Sequence, residues 1–404
     1  MKPFIKLLLL GLVVLTVSGI HAQDDGASWL FYQVSGRPTS PGTARFVYRM
    51  DMQSGETVPY GMGDINISPE GQHAVFLLQT GSYYTRELIV LDLTQEPPPD
   101  GYKWDAVEGE TIGGYGFDWH PNGYSFAIFW QPDFKIVNVD GSASDYKLQE
   151  IYSEAAEDDY VSSFEGKWSP NGEHLLMSFY GSEQMGQGLY LLDVAGKKLE
   201  RITDQRVDPV SWLPDGERAI VATKTEDAPL TRQCISLVTV ASGDLTDLYC
   251  EETLDEHLRY RPSPDGTRFL LQTMNSAGDY SLRILDTSRP DAVTTLSMTC
   301  CSLLTAQWSP DGKQIAAVFM TNETSTELYM LNEDGQDAHS VAQIQGYINL
   351  IEWNPAGTEI AFAYQDADNQ YHLDKIAANG TNRETLTQTD YGFIALDWIP
   401  QPQD

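Results

Sequence analysis

Basic residues are scarce in this chain. Lys and Arg number 25 against 58 Asp and Glu, a formal net charge of −33 over 404 residues. Removal of an N-terminal leader carrying Lys2 and Lys6 leaves 23 basic residues and a charge of −35. Such a surface repels polyphosphate and anionic lipid, which excludes nucleic-acid binding and favours solubility. Long apolar runs are missing after the first 22 residues, so nothing later in the sequence is hydrophobic enough to span a bilayer as a helix. Catalytic signatures are missing too. There is no Gly-x-Ser-x-Gly, no His-Glu-x-x-His and no phosphate-cradling glycine loop. Outside the leader, His73, His120, His174, His257, His339 and His372 have no metal-ligand spacing. Cysteine is limited to Cys234, Cys250, Cys300 and Cys301.

What the sequence has instead is a repeat. Trp308-Ser-Pro-Asp-Gly312 is followed by the apolar run Ile315 to Met320 and a second run, Glu327 to Leu331. Pro310 pre-sets the first central position of a turn, Asp311 suits the second, and Gly312 accepts the left-handed conformation that a Cβ resists. Equivalent turns end at Gly71, Gly123, Gly172, Gly216, Gly266 and Gly357, with a truncated copy at Pro400. Successive repeat prolines are 52, 49, 44, 50, 46, 45 and 45 residues apart. Two residues before the proline stand Trp119, Trp168, Trp212, Trp308, Trp353 and Trp398, with Ile67 and Pro262 in the other two units. Six of the nine tryptophans thus share one repeat position.

Four short strands per period of roughly 40–50 residues predict a β-propeller. The fold class is all-β: one propeller over 23–404, built of four-stranded antiparallel blades. A four-stranded sheet cannot cover both its faces alone. Stacked radially it buries them on two neighbours, and a large Trp suits that layer. Trp29–Val34, Ala44–Met50 and the segment after Gly55 lack an inner strand, and Phe393–Trp398 is an inner strand lacking its outer three. The two ends are therefore predicted to complete one blade and close the ring. That makes eight blades, or seven if the diverged unit near Ile65–Leu93 is irregular.

The Trp-Ser-Pro-Asp-Gly hairpin followed by an apolar strand resembles the PD40, or WD40-like TolB-type, β-propeller repeat. The resemblance covers nearly all of the chain after the leader. It implies a binding scaffold more than a specific activity. Against the best-known bearers of the repeat, no separate N-terminal TolB-like domain and no C-terminal peptidase domain is expected here.

Residues 1–22 read as a secretory signal peptide: Lys2 and Lys6, the apolar run Leu7 to Val17, then Ile20-His-Ala22 before a polar Gln-Asp-Asp. The chain is expected to be exported, periplasmic or extracellular, with no membrane insertion after cleavage, and monomeric. Cys234 and Cys250 flank the hairpin turn Ala241–Asp244 with their midpoint at residue 242, so they should face each other and form a disulfide. Adjacent Cys300 and Cys301 are expected to form a vicinal disulfide. No cofactor or metal is expected. The acidic loops Asp366–Asn369 and Glu154–Asp159 could hold Ca²⁺, but neither has the spacing of a dedicated calcium loop, and solvated loop faces are the commoner use of such runs. The longest insertion, 95–114, is proline-rich and offers Tyr102 and Trp104 as recognition aromatics or as rim packing.

One constellation follows from the repeat itself. The residue before the Trp position is polar in every unit: Asn66, Asp118, Lys167, Ser211, Arg261, Gln307, Glu352 and Asp397. Alternation along an inner strand puts it on the side opposite the tryptophan. These residues are expected to ring a central channel, either as a binding funnel or as an inner edge that simply meets water. The functional expectation is a non-catalytic exported module for protein, peptide or glycan partners. The alternative is a propeller enzyme, a lyase or hydrolase acting at the channel mouth, for which His120 beside Asp118 is the inner-strand candidate.

Overall fold

The computed structural model describes residues 27–35, 45–79, 86–95, 116–129, 134–152, 161–181, 187–205, 207–227, 230–253, 259–274, 280–289, 294–296 and 302–402. The leader, the 96–114 part of the insertion, the loop 154–159, His257 and the Cys300–Cys301 pair lie outside these residues. Among the described residues the only helix is Leu148–Ile151, and all strand pairing is antiparallel. No helix among them is long and apolar enough to cross a membrane.

Four sheets follow the predicted order of successive hairpins. They run from Gly116–Trp119 to Ala143–Tyr146, Val161–Trp168 to Lys198–Thr203, Val207–Trp212 to Asp244–Thr253, and Arg259–Pro262 to Thr294–Leu296. The diverged unit has three described strands, Asp64–Ile67, His73–Gln79 and Arg86–Asp92. A seven-stranded sheet covers Ser302–Trp308 to Glu384–Thr389. Its longest strand, His339–Trp353, serves two partners. Residues up to Gln345 pair with Ser325–Asn332, and Gly346 onward pairs with Glu359–Asp366. Gly346 sits at the corner with φ 147°, and a Cβ there would strike the Gln365 carbonyl. The remaining sheet joins the two ends of the chain. Phe393–Pro400 pairs with Ser28–Ser35, placing Leu30 opposite Trp398, and Arg45–Asp51 and Thr57–Met62 follow outward.

The repeat turns act as the sequence implies. The seven glycines Gly71, Gly123, Gly172, Gly216, Gly266, Gly312 and Gly357 have φ between +66° and +72°. In the Ser309 turn, Gly312 N donates to Ser309 O, Gln314 N to Ser309 Oγ, and Lys313 N to Asp311 Oδ1. Ser309 Oγ donates to Asp311 Oδ1 at 2.7 Å. The serine and aspartate thus satisfy backbone donors at the strand ends, as short polar side chains do best.

The core lies between sheets. Leu30, Tyr32 and Trp398 pack on Ala361, Ala363 and Leu373 of the preceding sheet. Trp29, Phe31 and Ile399 pack on Ile65, Ala74 and Phe76 of the following one. One strand thereby feeds two apolar layers, and Trp29 to Val34 is buried throughout. The same interleaving joins each described sheet to the next along the chain. Trp168, Trp212, Trp308, Trp353 and Trp398 are buried, and Trp119 is half-buried. Three of the indoles donate to the preceding unit, while Trp398 Nε1 donates to Ser28 Oγ in its own sheet. Trp119 Nε1 donates to Asn66 O (3.4 Å), Trp212 Nε1 to Lys167 O (2.9 Å) and Trp353 Nε1 to Gln307 O (3.5 Å).

Cys234 and Cys250 are direct strand partners, 4.1 Å apart at Cα, and are bridged. Their register depends on an irregularity at Leu248, because Ile235 opposes Tyr249 while Ser236 opposes Asp247. The vicinal pair Cys300–Cys301 is outside the described residues.

Two stability outcomes follow. Trp353→Ala should cost about 3–5 kcal/mol in denaturant unfolding, as a buried aromatic truncation does. Trp353→Phe, which keeps a ring but loses the N–H donor, should cost only about 1–2 kcal/mol. Removing the bridge with Cys234→Ser and Cys250→Ser, across a sequence separation of 16, should cost about 3 kcal/mol.

Candidate functional site

The inner-strand polar residues belong to eight successive repeat units, and none is exposed. Asn66 and Asp397 are buried, at 6% and 8% exposure, and the other six are half-buried. All but Arg261, which precedes Pro262, sit one residue before a side chain packed between sheets, so the strand's register fixes where they stand.

Contacts between units tie several of them together. Lys167 Nζ lies 3.2 Å from Asp118 Oδ1, and Asp118 Oδ2 accepts the Trp168 backbone N–H at 2.9 Å. One carboxylate thereby stitches two neighbouring sheets. Gln307 Nε2 donates to Glu352 Oε2 at 3.0 Å, again between successive units. Arg261, two units from Glu352, is close enough to stabilise its charge, and Glu352 is close enough to Asp397 to oppose ionisation there. The Ser211 hydroxyl turns to the Trp212 carbonyl. Asn66 enters through its carbonyl, which receives Trp119.

The acidic end of this group is electrostatically tense. Burial pushes the Glu352 carboxyl up to about 7, although Gln307 and Arg261 pull the other way. Burial, and then the charge of Glu352, hold the Asp397 carboxyl well above the ordinary carboxylate range. Glu352 retains some accessible surface while lying deep among protein atoms, which is the situation of a side chain lining an internal space.

His120 does not join Asp118 in an acid–base pair. Its Nδ1 accepts the Asn122 backbone N–H at 3.0 Å, and its Nε2 lies 3.0 Å from Gly172 O. That combination specifies a neutral ring with the proton on Nε2. The ring packs edge-on to Trp168, 4.5 Å between centroids, and burial lowers its pKa. His120 is a staple between two repeat turns. Sequence spacing hid this, because its partner Gly172 lies in the next unit.

Of the two candidate calcium loops, only 366–369 lies among the described residues. In the 366–369 loop, Asp366 Oδ1 accepts Asp368 N and Gln370 N, and its Oδ2 meets His372 Nε2 at 2.8 Å. Its carboxylate is committed to the turn. Cys234, Asp247 and Cys250 converge, but both sulfurs are consumed by the bridge and offer no thiolate.

The shifts of Glu352 and Asp397 set a pH dependence. An acid whose pKa rises on folding binds its proton more tightly in the folded chain, so the stability this confers is complete below the unfolded value and lost as pH rises through the folded one. For Glu352 the window runs from 4.5 to about 7. The turn aspartates have the opposite sign. Burial alone would raise Asp265 and Asp311, but hydrogen bonds from Ser263 and Thr267, and from Ser309 and Lys313, outweigh it and depress both. Their contribution disappears as pH falls below the ordinary carboxylate range. Glu352→Gln should therefore flatten the fall in melting temperature across that window and leave the acid limb unchanged. An unaltered profile would contradict the assignment.

No protein-family model matches the chain, and no curated protein does. Among solved structures it is similar to the crystal structure of the eukaryotic initiation factor, at 12% identity and TM-score 0.58, over 94% of this chain and 100% of that one. It is also similar to the β-propeller domain of the Trilobed protease from Pyrococcus furiosus, at 12% identity and TM-score 0.47, over 89% and 92%. A third is TolB from Acinetobacter baumannii, at 13% identity and TM-score 0.38, over 92% and 83%. At these identities the likeness concerns fold alone. With the hairpin repeat and the succession of four-stranded antiparallel sheets, the fold is a β-propeller.

Proposed function

We propose that this protein is an exported, non-catalytic binding module: an eight-bladed propeller whose central polar ring receives a protein or peptide partner. Eight blades follow when the seven-stranded sheet is divided at Gly346. Closure is supported by apolar layers that pass from sheet to sheet and return from Ala361 and Leu373 to Leu30 and Trp398. The leader at 1–22 and the Cys234–Cys250 bridge support an oxidising location, periplasmic or extracellular.

One observation carries the binding reading. Polar side chains one repeat apart meet each other, Asp118 with Lys167 and Gln307 with Glu352, at positions the fold keeps from the outer surface. An inner edge that merely tolerated water would leave them pointing independently. Their varied identity suits a partner without the ring's pseudo-symmetry. The His120 ring, with both nitrogens engaged, works against the enzyme alternative.

The test is affinity capture with the full chain from the host's envelope extract, purification of the captured protein, and measurement of its Kd. Lys167→Ala and Glu352→Ala should each weaken that Kd about tenfold or more, as truncation of a central interface residue does. Unchanged Kd in both, with melting temperatures showing that they fold, overturns the reading. N-terminal sequencing of the secreted protein should begin at Gln23.

A further inference from the structure

The ring is unequal around its circumference. Asp118 and Lys167 neutralise each other on one side. On the other, acceptors outnumber donors. Asp397 is 8% exposed, and its carboxylate has no hydrogen-bond or ion-pair partner among the described residues. The charge that acts on it most is Glu352, of its own sign. Glu352 accepts one hydrogen bond, from Gln307. Gln307 Oε1 is itself a buried acceptor without a donor. Asn66, next to Asp397 in repeat order and 6% exposed, has a side-chain amide without a partner among the described residues. Buried polar groups in native proteins are almost always satisfied, so the orphaned Gln307 Oε1, beside two carboxyls of like charge, calls for a donor from outside.

We propose that this sector, centred on Asp397 and Glu352, receives a primary ammonium group carried by the partner, on a lysine side chain or at a chain N-terminus. The proposal rests on the ring reading above and names what the ring recognises. Charge balance selects a monocation. With both carboxylates ionised, Arg261 compensates one of them and a single positive charge remains to be supplied. A divalent cation would overshoot, and it prefers six or more oxygens. Shape selects an ammonium over a guanidinium. The ammonium is a compact donor of three hydrogen bonds on a flexible stem, whereas the wide guanidinium fork wants a free bidentate carboxylate, and one Glu352 oxygen is already taken. The acidic surface of the whole protein steers basic partners toward it. At a pH where burial and Glu352 keep Asp397 protonated, docking releases that proton: the carboxyl O–H breaks, its electron pair stays on the oxygen, and the proton passes to buffer.

The experiment is isothermal titration calorimetry on the full chain with four probes: Nα-acetyl-lysine methylamide, glycine methylamide, Nα-acetyl-arginine methylamide and calcium chloride. One of the two ammonium probes should bind saturably at one site, with a buffer-dependent enthalpy that reports proton release. The lysine probe and the glycine probe separate a side-chain source from an N-terminal one. Asp397→Asn and Glu352→Gln should each weaken binding at least tenfold. Glu333→Gln, on an outer turn, should change it less than twofold. Failure of both ammonium probes, undiminished binding by a folded Asp397→Asn, or saturation by calcium or the arginine probe instead would overturn the proposal. If the ammonium probes fail while Lys167→Ala still weakens the captured partner, the ring reading stands and the ammonium falls. If the captured partner ignores every ring substitution, the ring reading falls by itself.

Discussion

The backward-facing tryptophan is the contact on which the rest depends. A four-stranded sheet has two apolar faces and no core of its own, so every sheet must lean on the next. Burying an indole of roughly 200 Å² contributes on the order of 5 kcal/mol, against about 1 kcal/mol net for its hydrogen bond. Packing therefore supplies the stability, and the N–H supplies direction. By donating to the carbonyl of the polar residue one unit back, Trp119, Trp212 and Trp353 set how adjacent inner strands align. The polar inner-strand position is thus registered by the residue that builds the core. Where the donor has no partner, at Trp168 and Trp308, the indole stays buried all the same. At Trp168, the backbone N–H takes an Asp118 oxygen and keeps the two sheets aligned.

The turns are a second, local device that agrees with this global one. Proline, a short polar side chain and a left-handed glycine close each hairpin without help from the rest of the fold. They also stack on each other between units: a Cβ at Gly172 would strike the His120 ring, and one at Gly266 would crowd Pro214. A side chain at either glycine would be strained by its φ and would press on the preceding turn. Local propensity and packing between sheets therefore ask for the same residue, the agreement that marks a foldable repeat.

That agreement explains what could be read from the sequence. The inner strands, the turns, the pairing of Ser28–Ser35 with Phe393–Pro400 and the Cys234–Cys250 bridge all repeat or mirror a pattern, so they were visible in spacing alone. The polar position was visible for the same reason. What it touches was not. Asp118 with Lys167 lies 49 positions apart and Gln307 with Glu352 45, and which neighbours meet depends on rotamers that no spacing records. The same holds for His120, whose proximity to Asp118 in sequence suggested chemistry while its nitrogens serve Asn122 and Gly172. Nothing in the repeat spacing marks the corner at Gly346. Its role came from two strands sharing a segment without a turn between them.

The unequal ring also bears on how an acidic protein manages its own charge. Exposed carboxylates of the repeat turns are screened by water and held by backbone N–H groups, as at Asp265 and Asp311. Glu352 and Asp397 have no such relief, because the tryptophan register fixes them on inner strands whether or not a cation is nearby. A fold selected for stability alone would place amides or serines there, as it does at Asn66 and Ser211. Two neighbouring buried carboxyls lower the stability of the fold above the pH where they ionise, and a positive group of the kind proposed would offset that cost. Sites held in an unfavourable state by a scaffold that over-determines them are where binding energy is concentrated. This pair of inner-strand carboxyls, more than the acidic exterior, is accordingly where the chain departs from what its stability requires.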